Sequence, residues 1–129
     1  MIEIQLAEIR GYHPTLTLMM NAFHSWFGES LFDTVDGMEI TDDELGEILT
    51  GRVVAVTHAA GGGYWCVSEA WLCYLLLCRR QSDAILPVYL LDLDGMNDAQ
   101  EFEIIRALFA DESKCLEQLI FGGEGGSCF

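Results

Sequence analysis

The chain opens on alternation: Ile2, Ile4 and Leu6 are separated by polar residues in "IEIQLAEI", the period of two that a half-buried strand requires. Gly11 and Pro14 break the pattern. Pro14 suits a first helical position, where its missing N–H is not needed. Leu16, Met19, Met20, Phe23 and Phe27 then fall on one helical stripe, so an amphipathic helix is expected over residues 14–27, ended by Gly28. An acidic loop is expected from there as far as Thr41. There Thr-x-x-Glu, Thr41 to Glu44, matches the capping box that satisfies two orphan N–H groups at a helix start. Leu45, Ile48 and Leu49 supply that helix's buried stripe, and Gly51 is placed to end it in the left-handed conformation.

"RVVAVTHAA" is β-branched and short, hence a strand, with "GGG" at 61–63 as a flexible turn and "YWCV" as its hairpin partner. Ser68 can cap a helix over about 69–80, whose "AWLCYLLLC" is apolar on every side and so belongs at the centre of a core. "ILPVYLLDL" predicts a strand beginning after Pro87 and buried on both faces. Asn97 with Gln100 repeats the capping box ahead of a helix marked by Phe102, Ile105 and Phe109, which ends near residue 110. Cys115, Leu116, Leu119 and Ile120 mark another turn and a half, either separate from that helix or continuous with it. The order β-α-α-β-(β)-α-β-α-α predicts an α+β (mixed α/β) fold with one sheet of three to four strands and four to five helices. One globular domain is expected over residues 1–121, with 122–129 as a glycine-rich tail.

Charge changes this picture more than hydropathy does. Of 129 residues, 51% are hydrophobic, enough for a folded core, yet 21 acidic residues face only 6 Lys and Arg, a formal net charge of −15. Small domains stay soluble with a net charge of about 2 to 8, so the excess costs folding free energy through self-repulsion. Direct binding to nucleic acid or to an anionic membrane is disfavoured, because both demand positive charge. A basic protein surface is the favoured partner. Five cysteines cannot all pair within one chain, and "MIEIQLAEIR" has neither the basic start nor the apolar run of a secretory signal, which points to a reducing cytoplasm.

Candidate chemistry is sparse. "LLDLDGMND", 90–98, resembles the first motif of haloacid-dehalogenase-type phosphatases, which would make Asp92 a nucleophile and Asp94 an acid/base around magnesium. Met96 stands where that family carries Thr, and 35 residues are too few for the remaining motifs. A calcium loop over Asp92, Asp94 and Glu103 lacks the glycine at its sixth position, where Asn97 stands. A strand end, a glycine turn and an Asn-capped helix account for the same residues. Cys66, just ahead of a helix, could be a low-pKa thiol with His58 as its base, although five cysteines in an apolar-rich chain are more often core filler. His58, Cys66, Cys73 and Cys78 lack the paired spacing of a zinc site. No cofactor and no metal is expected.

What remains is the acidic segment. Residues 29–47 hold eight carboxylates, Glu29, Asp33, Asp36, Glu39, Asp42, Asp43, Glu44 and Glu47, and no Lys or Arg. On a helix, the four from Asp42 to Glu47 span about 7.5 Å, while duplex DNA carries about four phosphates over that length. Helix-dipole complementation explains Asp42 and Asp43. It does not explain Asp33, Asp36 and Glu39, expected in a loop. These eight residues are therefore the expected partner-binding face of a non-enzymatic inhibitor that blocks a basic, nucleic-acid-binding surface of an effector or nuclease. In size, charge and lack of catalytic motifs the chain is similar to phage anti-restriction and anti-CRISPR proteins and to nuclease-toxin immunity proteins. Tyr12, Trp26, Phe27, Phe32 and Met38 lie beside the segment as candidate anchors. The alternatives are an acidic adaptor subunit acting as a homodimer and a thiol enzyme using Cys66 and His58.

Overall fold

The structure, a computed structural model, describes residues 1–27 and 31–118, without the side chains of Trp26 and Phe27. The tail at 122–129 lies outside the described residues. In chain order the elements are β1 (Ile2–Gln5), β2 (Ile9–Tyr12), α1 (Pro14–Phe27), α2 (Leu31–Asp36), α3 (Asp42–Gly51), β3 (Ala55–His58), β4 (Tyr64–Ser68), α4 (Ala70–Arg79), β5 (Ile85–Leu90) and α5 (Asp98–Glu117). The fold is mixed α+β, with one five-stranded sheet ordered β1-β5-β3-β4-β2. β1 with β5 and β3 with β4 are antiparallel, whereas β3 with β5 and β2 with β4 are parallel.

The fifth strand arises because the opening segment is interrupted. A 3-10 turn at Leu6–Glu8 divides β1 from β2, and the Glu8 carboxylate stabilises it by accepting the Gln5 N–H at 2.7 Å. Both capping boxes form as the spacing predicts, Thr41 with Glu44 and Asn97 with Gln100. α1 has the expected bounds and buries Leu16 and Phe23. α3 departs in one detail: Gly51 is its last helical residue, and Arg52 follows in extended conformation. The stretch at Cys115 and Leu116 continues α5 as one helix, while Leu119 and Ile120 lie outside the described residues.

β5 corrects the expectation of burial on both faces. It already begins at Ile85 and buries Leu86 and Val88, while Ile85 and Tyr89 are 53% and 55% exposed. Pro87 is accommodated by direction. Tyr89 and Leu91 donate their N–H groups toward β3, to the carbonyls of Val54 and Val56, and Pro87 points the same way two residues before that ladder begins, where no donor is needed.

The β3–β4 hairpin closes through the three glycines, with the Ala59 N–H donating to the Gly63 carbonyl at 3.0 Å. Arg10 reaches across from β2 to hydrogen-bond the carbonyls of Gly61 and Gly62. Gly63, at φ +72°, is the position where a side chain cannot enter: a Cβ would lie 2.5 Å from Arg10 Cδ and 2.9 Å from the Glu8 carbonyl oxygen. Gly63→Ala is expected to cost about 1–3 kcal/mol, more than Gly61→Ala, whose Cβ meets open space at a similarly positive φ. Paired denaturant melts check the order.

One apolar cluster joins the sheet to the helices. At its centre lies α4, with Trp71, Leu72, Cys73 and Leu76 fully buried, as its uniform apolarity predicts. α4 packs on β4 and α2, and α1 and α5 pack on each other and on β4.

Candidate functional site

The acidic segment is built on two helices rather than on a loop and one helix. α2 forms inside it because Leu31, Thr34 and Val35, at i, i+3 and i+4, turn to the core, which sends Asp33 and Asp36 outward. α3 buries Leu45 and Ile48, so Asp42, Asp43, Glu44 and Glu47 are exposed, and Glu39 is exposed on the connection between the helices. Glu29 lies outside the described residues. All seven described carboxylates are therefore presented outward, on consecutive elements of one stretch of chain.

Asp36 and Asp42 contact α4. The Tyr74 hydroxyl, from α4, lies 2.9 Å from both carboxylate oxygens of Asp36. That bond, with burial and the nearby Cys78 adding to it, pushes the Tyr74 phenol up to about 12. Arg79, at the end of α4, lies 3.6 Å from Asp42, which is 93% exposed. Glu44 accepts the Thr41 N–H and hydroxyl, so its charge also serves the helix start. The remaining arginine pairs lie elsewhere, Arg52 on Glu69 and Asp111 and Arg106 on Glu103.

Aromatic rings line the base of this face. Phe32 stacks on Tyr74 with ring centroids 4.4 Å apart and 15° between planes, and Tyr12 tilts against Phe32 at 5.4 Å. Tyr12, Phe32 and Met38 are half-buried and packed against the core. They pack against the core rather than standing clear of it. Trp26 and Phe27, the other anchors named from sequence, have no described side chains.

The other candidate chemistry is taken up by the fold. Asp92 Oδ1 accepts the Asp94 N–H at 2.9 Å, and Gly95 turns at φ +80°, the strand end and glycine turn that precede the capped α5. Cys66 is fully buried, donates its thiol to the Ser68 carbonyl at 3.2 Å, and is pushed well up by burial and by Cys73. A thiolate there is disfavoured, the reverse of what a nucleophile needs. His58 is exposed against Tyr64. Cys66 is expected to react with iodoacetamide at least about tenfold more slowly than the exposed Cys78, as mass spectrometry of the labelled peptides can measure. Cys73 and Cys78 are also free thiols, whereas Cys115 is disulfide-bonded. Among the described residues, no three His, Cys, Asp or Glu side chains form a metal-ligating group, and no helix is long and apolar enough to cross a membrane.

Sequence reasoning missed a second carboxylate cluster. Glu112, on α5, is 0% exposed. Its Oε1 accepts the Glu69 N–H at 2.9 Å and its Oε2 the Trp71 N–H at 3.3 Å, so α5 caps the first turn of α4. Glu69, not Ser68, is the N-cap residue, at φ 60° and ψ 47°. It is the one non-glycine residue with positive φ among the described residues, a costly conformation for a residue bearing a Cβ. Glu69 accepts from Trp71 Nε1 at 3.0 Å and from Arg52 Nε at 3.0 Å. Burial first and Glu69 second push Glu112 up to about 8, against the opposing pull of three backbone N–H groups. The signal was present in the sequence, since Ile105, Phe109, Glu112 and Leu116 share one helical stripe.

No protein-family model matches the chain, and neither a curated protein nor a solved structure is significantly similar to it.

Proposed function

We propose that this protein is a non-enzymatic inhibitor that docks its α2–α3 face on a basic surface of a partner protein, one that otherwise binds nucleic acid. The observation that carries this reading is the outward placement of Asp33, Asp36, Glu39, Asp42, Asp43, Glu44 and Glu47 on two consecutive short helices and their connection. A surface like this offers a cationic groove what a phosphate backbone offers: closely spaced negative charge on a rigid support. The Tyr74 and Arg79 contacts hold Asp36 and Asp42 to α4, which lowers the entropy lost when such side chains are ordered on binding. An effector or nuclease of the cytoplasm is the partner class that fits, and phage anti-defence and toxin-immunity proteins are the functional class.

The test is a pull-down from the native host with the wild-type chain and with one reversed to lysine at Asp33, Asp36, Glu39 and Glu47. Recovery of a nucleic-acid-binding protein by the first chain alone supports the reading. Equal recovery by both sinks it.

A second reading is favoured by a different observation. Ile85 and Tyr89 are both more than half exposed on the outer side of β5, beside the free edge of β1, and an apolar sheet face suits a homodimeric adaptor subunit. Solution mass at several concentrations separates the two, because the inhibitor reading requires no second copy.

A further inference from the structure

The buried carboxylates at the β4–α4 junction have no part in the acidic face, and their geometry carries an inference of its own. Glu112 and Glu69 meet around one cluster of backbone donors, the N–H groups of Glu69, Ala70 and Trp71. Arg52, with its side chain 10% exposed, spends its guanidinium on Glu69, at 2.8 Å, and on Asp111, at 2.7 Å. Among the described residues, the titratable groups that interact electrostatically with Glu112 include Glu69 at the junction, Tyr12 from β2 and Cys66 from β4, with Arg52 paired to Glu69 and to Asp111. Apart from Arg52, each of these is anionic or becomes so when it loses a proton.

We propose that this junction is a proton-gated clasp: protonated Glu112 lets the first turn of α4 dock on α5, and loss of the proton sets a second anion beside Glu69, against a guanidinium already occupied, and releases that turn. Release is favoured by Glu69 itself, because an undocked junction can leave the left-handed conformation. α4 also carries Tyr74 and Arg79, which contact Asp36 on α2 and Asp42 on α3, so loosening at its start bears on the helix that carries those contacts. The clasp does not depend on what the acidic face binds.

Linkage sets the direction. The folded chain keeps the Glu112 proton up to about pH 8, whereas a free glutamate loses it near 4.5. Between those values the unfolded state binds fewer protons, so stability falls as pH rises. Imidazoles titrate in part of the same window, and the readout must therefore be local.

The experiment is a pH titration of the intact protein by NMR, following the side-chain carboxyl carbon of Glu112, the indole N–H of Trp71 and amide protection at Glu69 to Cys73. A carboxyl midpoint above pH 6, with an indole shift at the same midpoint and protection factors at least about tenfold lower at pH 9 than at pH 6, is the expected result. Glu112→Gln, which cannot ionise, should lose the pH dependence of the Trp71 signal. Persistence of that dependence in the variant overturns the proposal. Should Glu112→Gln fail to fold, the wild-type titration decides: a Glu112 midpoint below pH 5, or constant protection across the window, overturns it.

Discussion

Arg52→Ala is expected to destabilise the protein by about 3–5 kcal/mol, the usual loss when a buried ion pair keeps only one partner. The side chains of Arg52 and Glu69 are only 10% and 8% exposed, so solvent cannot take over the role of the guanidinium. Removing it leaves the Glu69 carboxylate beside Glu112, with Trp71 Nε1 as its remaining donor among the contacts described. Domains of this size have about 5–15 kcal/mol of total stability, so the variant should sit close to its unfolding threshold. Asp111→Ala is the control. Asp111 also binds Arg52, at 2.7 Å, but its side chain is 74% exposed, and such pairs contribute about 1 kcal/mol or less. Denaturant melts of the two variants, analysed for midpoint at constant slope, should differ severalfold in their loss. Equal losses would remove the asymmetry on which the junction's energetics rest.

The second large effect is kinetic. Reversal of Asp33, Asp36, Glu39 and Glu47 to lysine should slow association with a basic partner by about 10- to 1,000-fold at low salt, the range over which electrostatic steering acts. The wild-type rate should fall steeply as salt is added, while that of the variant should hardly change. Net charge is a confounder, because each reversal shifts the total of −15 by two units. Reversing four exposed acids elsewhere, Glu3, Asp83, Asp94 and Glu117, changes net charge equally and leaves the α2–α3 face intact. Stopped-flow association of all three chains with the protein recovered from the host separates local charge from total charge. A control variant as slow as the face variant would assign the effect to total charge and withdraw the face.

Much of the fold was legible because its signals are local. The two capping boxes, the Pro14 helix start and the glycine hairpin each depend on residues within a few positions of one another, and each stands where the spacing places it. α2 was not legible, since six residues give too short a stretch for periodicity and Thr34, which is buried, counts as polar. β5 misled for the opposite reason. Ile85 and Tyr89 supply apolar character to a face that stays in solvent, and composition alone cannot tell an exposed apolar strip from a covered one.

At the acidic face, the outward direction of the carboxylates followed from their density, but the Tyr74 hydroxyl beneath Asp36 comes from 38 residues away. No local pattern encodes such a contact. Glu112 lies between these cases. Its place on the apolar stripe of α5 was readable, yet reading it required accepting a buried carboxylate whose donors lie 41 and 43 residues earlier.

That separation bears on how the chain is made. α4 lies at the centre of the apolar core, and the group that closes its first turn belongs to α5, which leaves the ribosome only after the whole of β5. β1 likewise waits for β5, its pairing partner, some eighty residues downstream. A nascent chain from which β5 has not yet emerged therefore holds a bare apolar helix with open backbone donors and an unpaired first strand. Such an intermediate is a natural client for a chaperone, and the native junction closes only after α5 has been released.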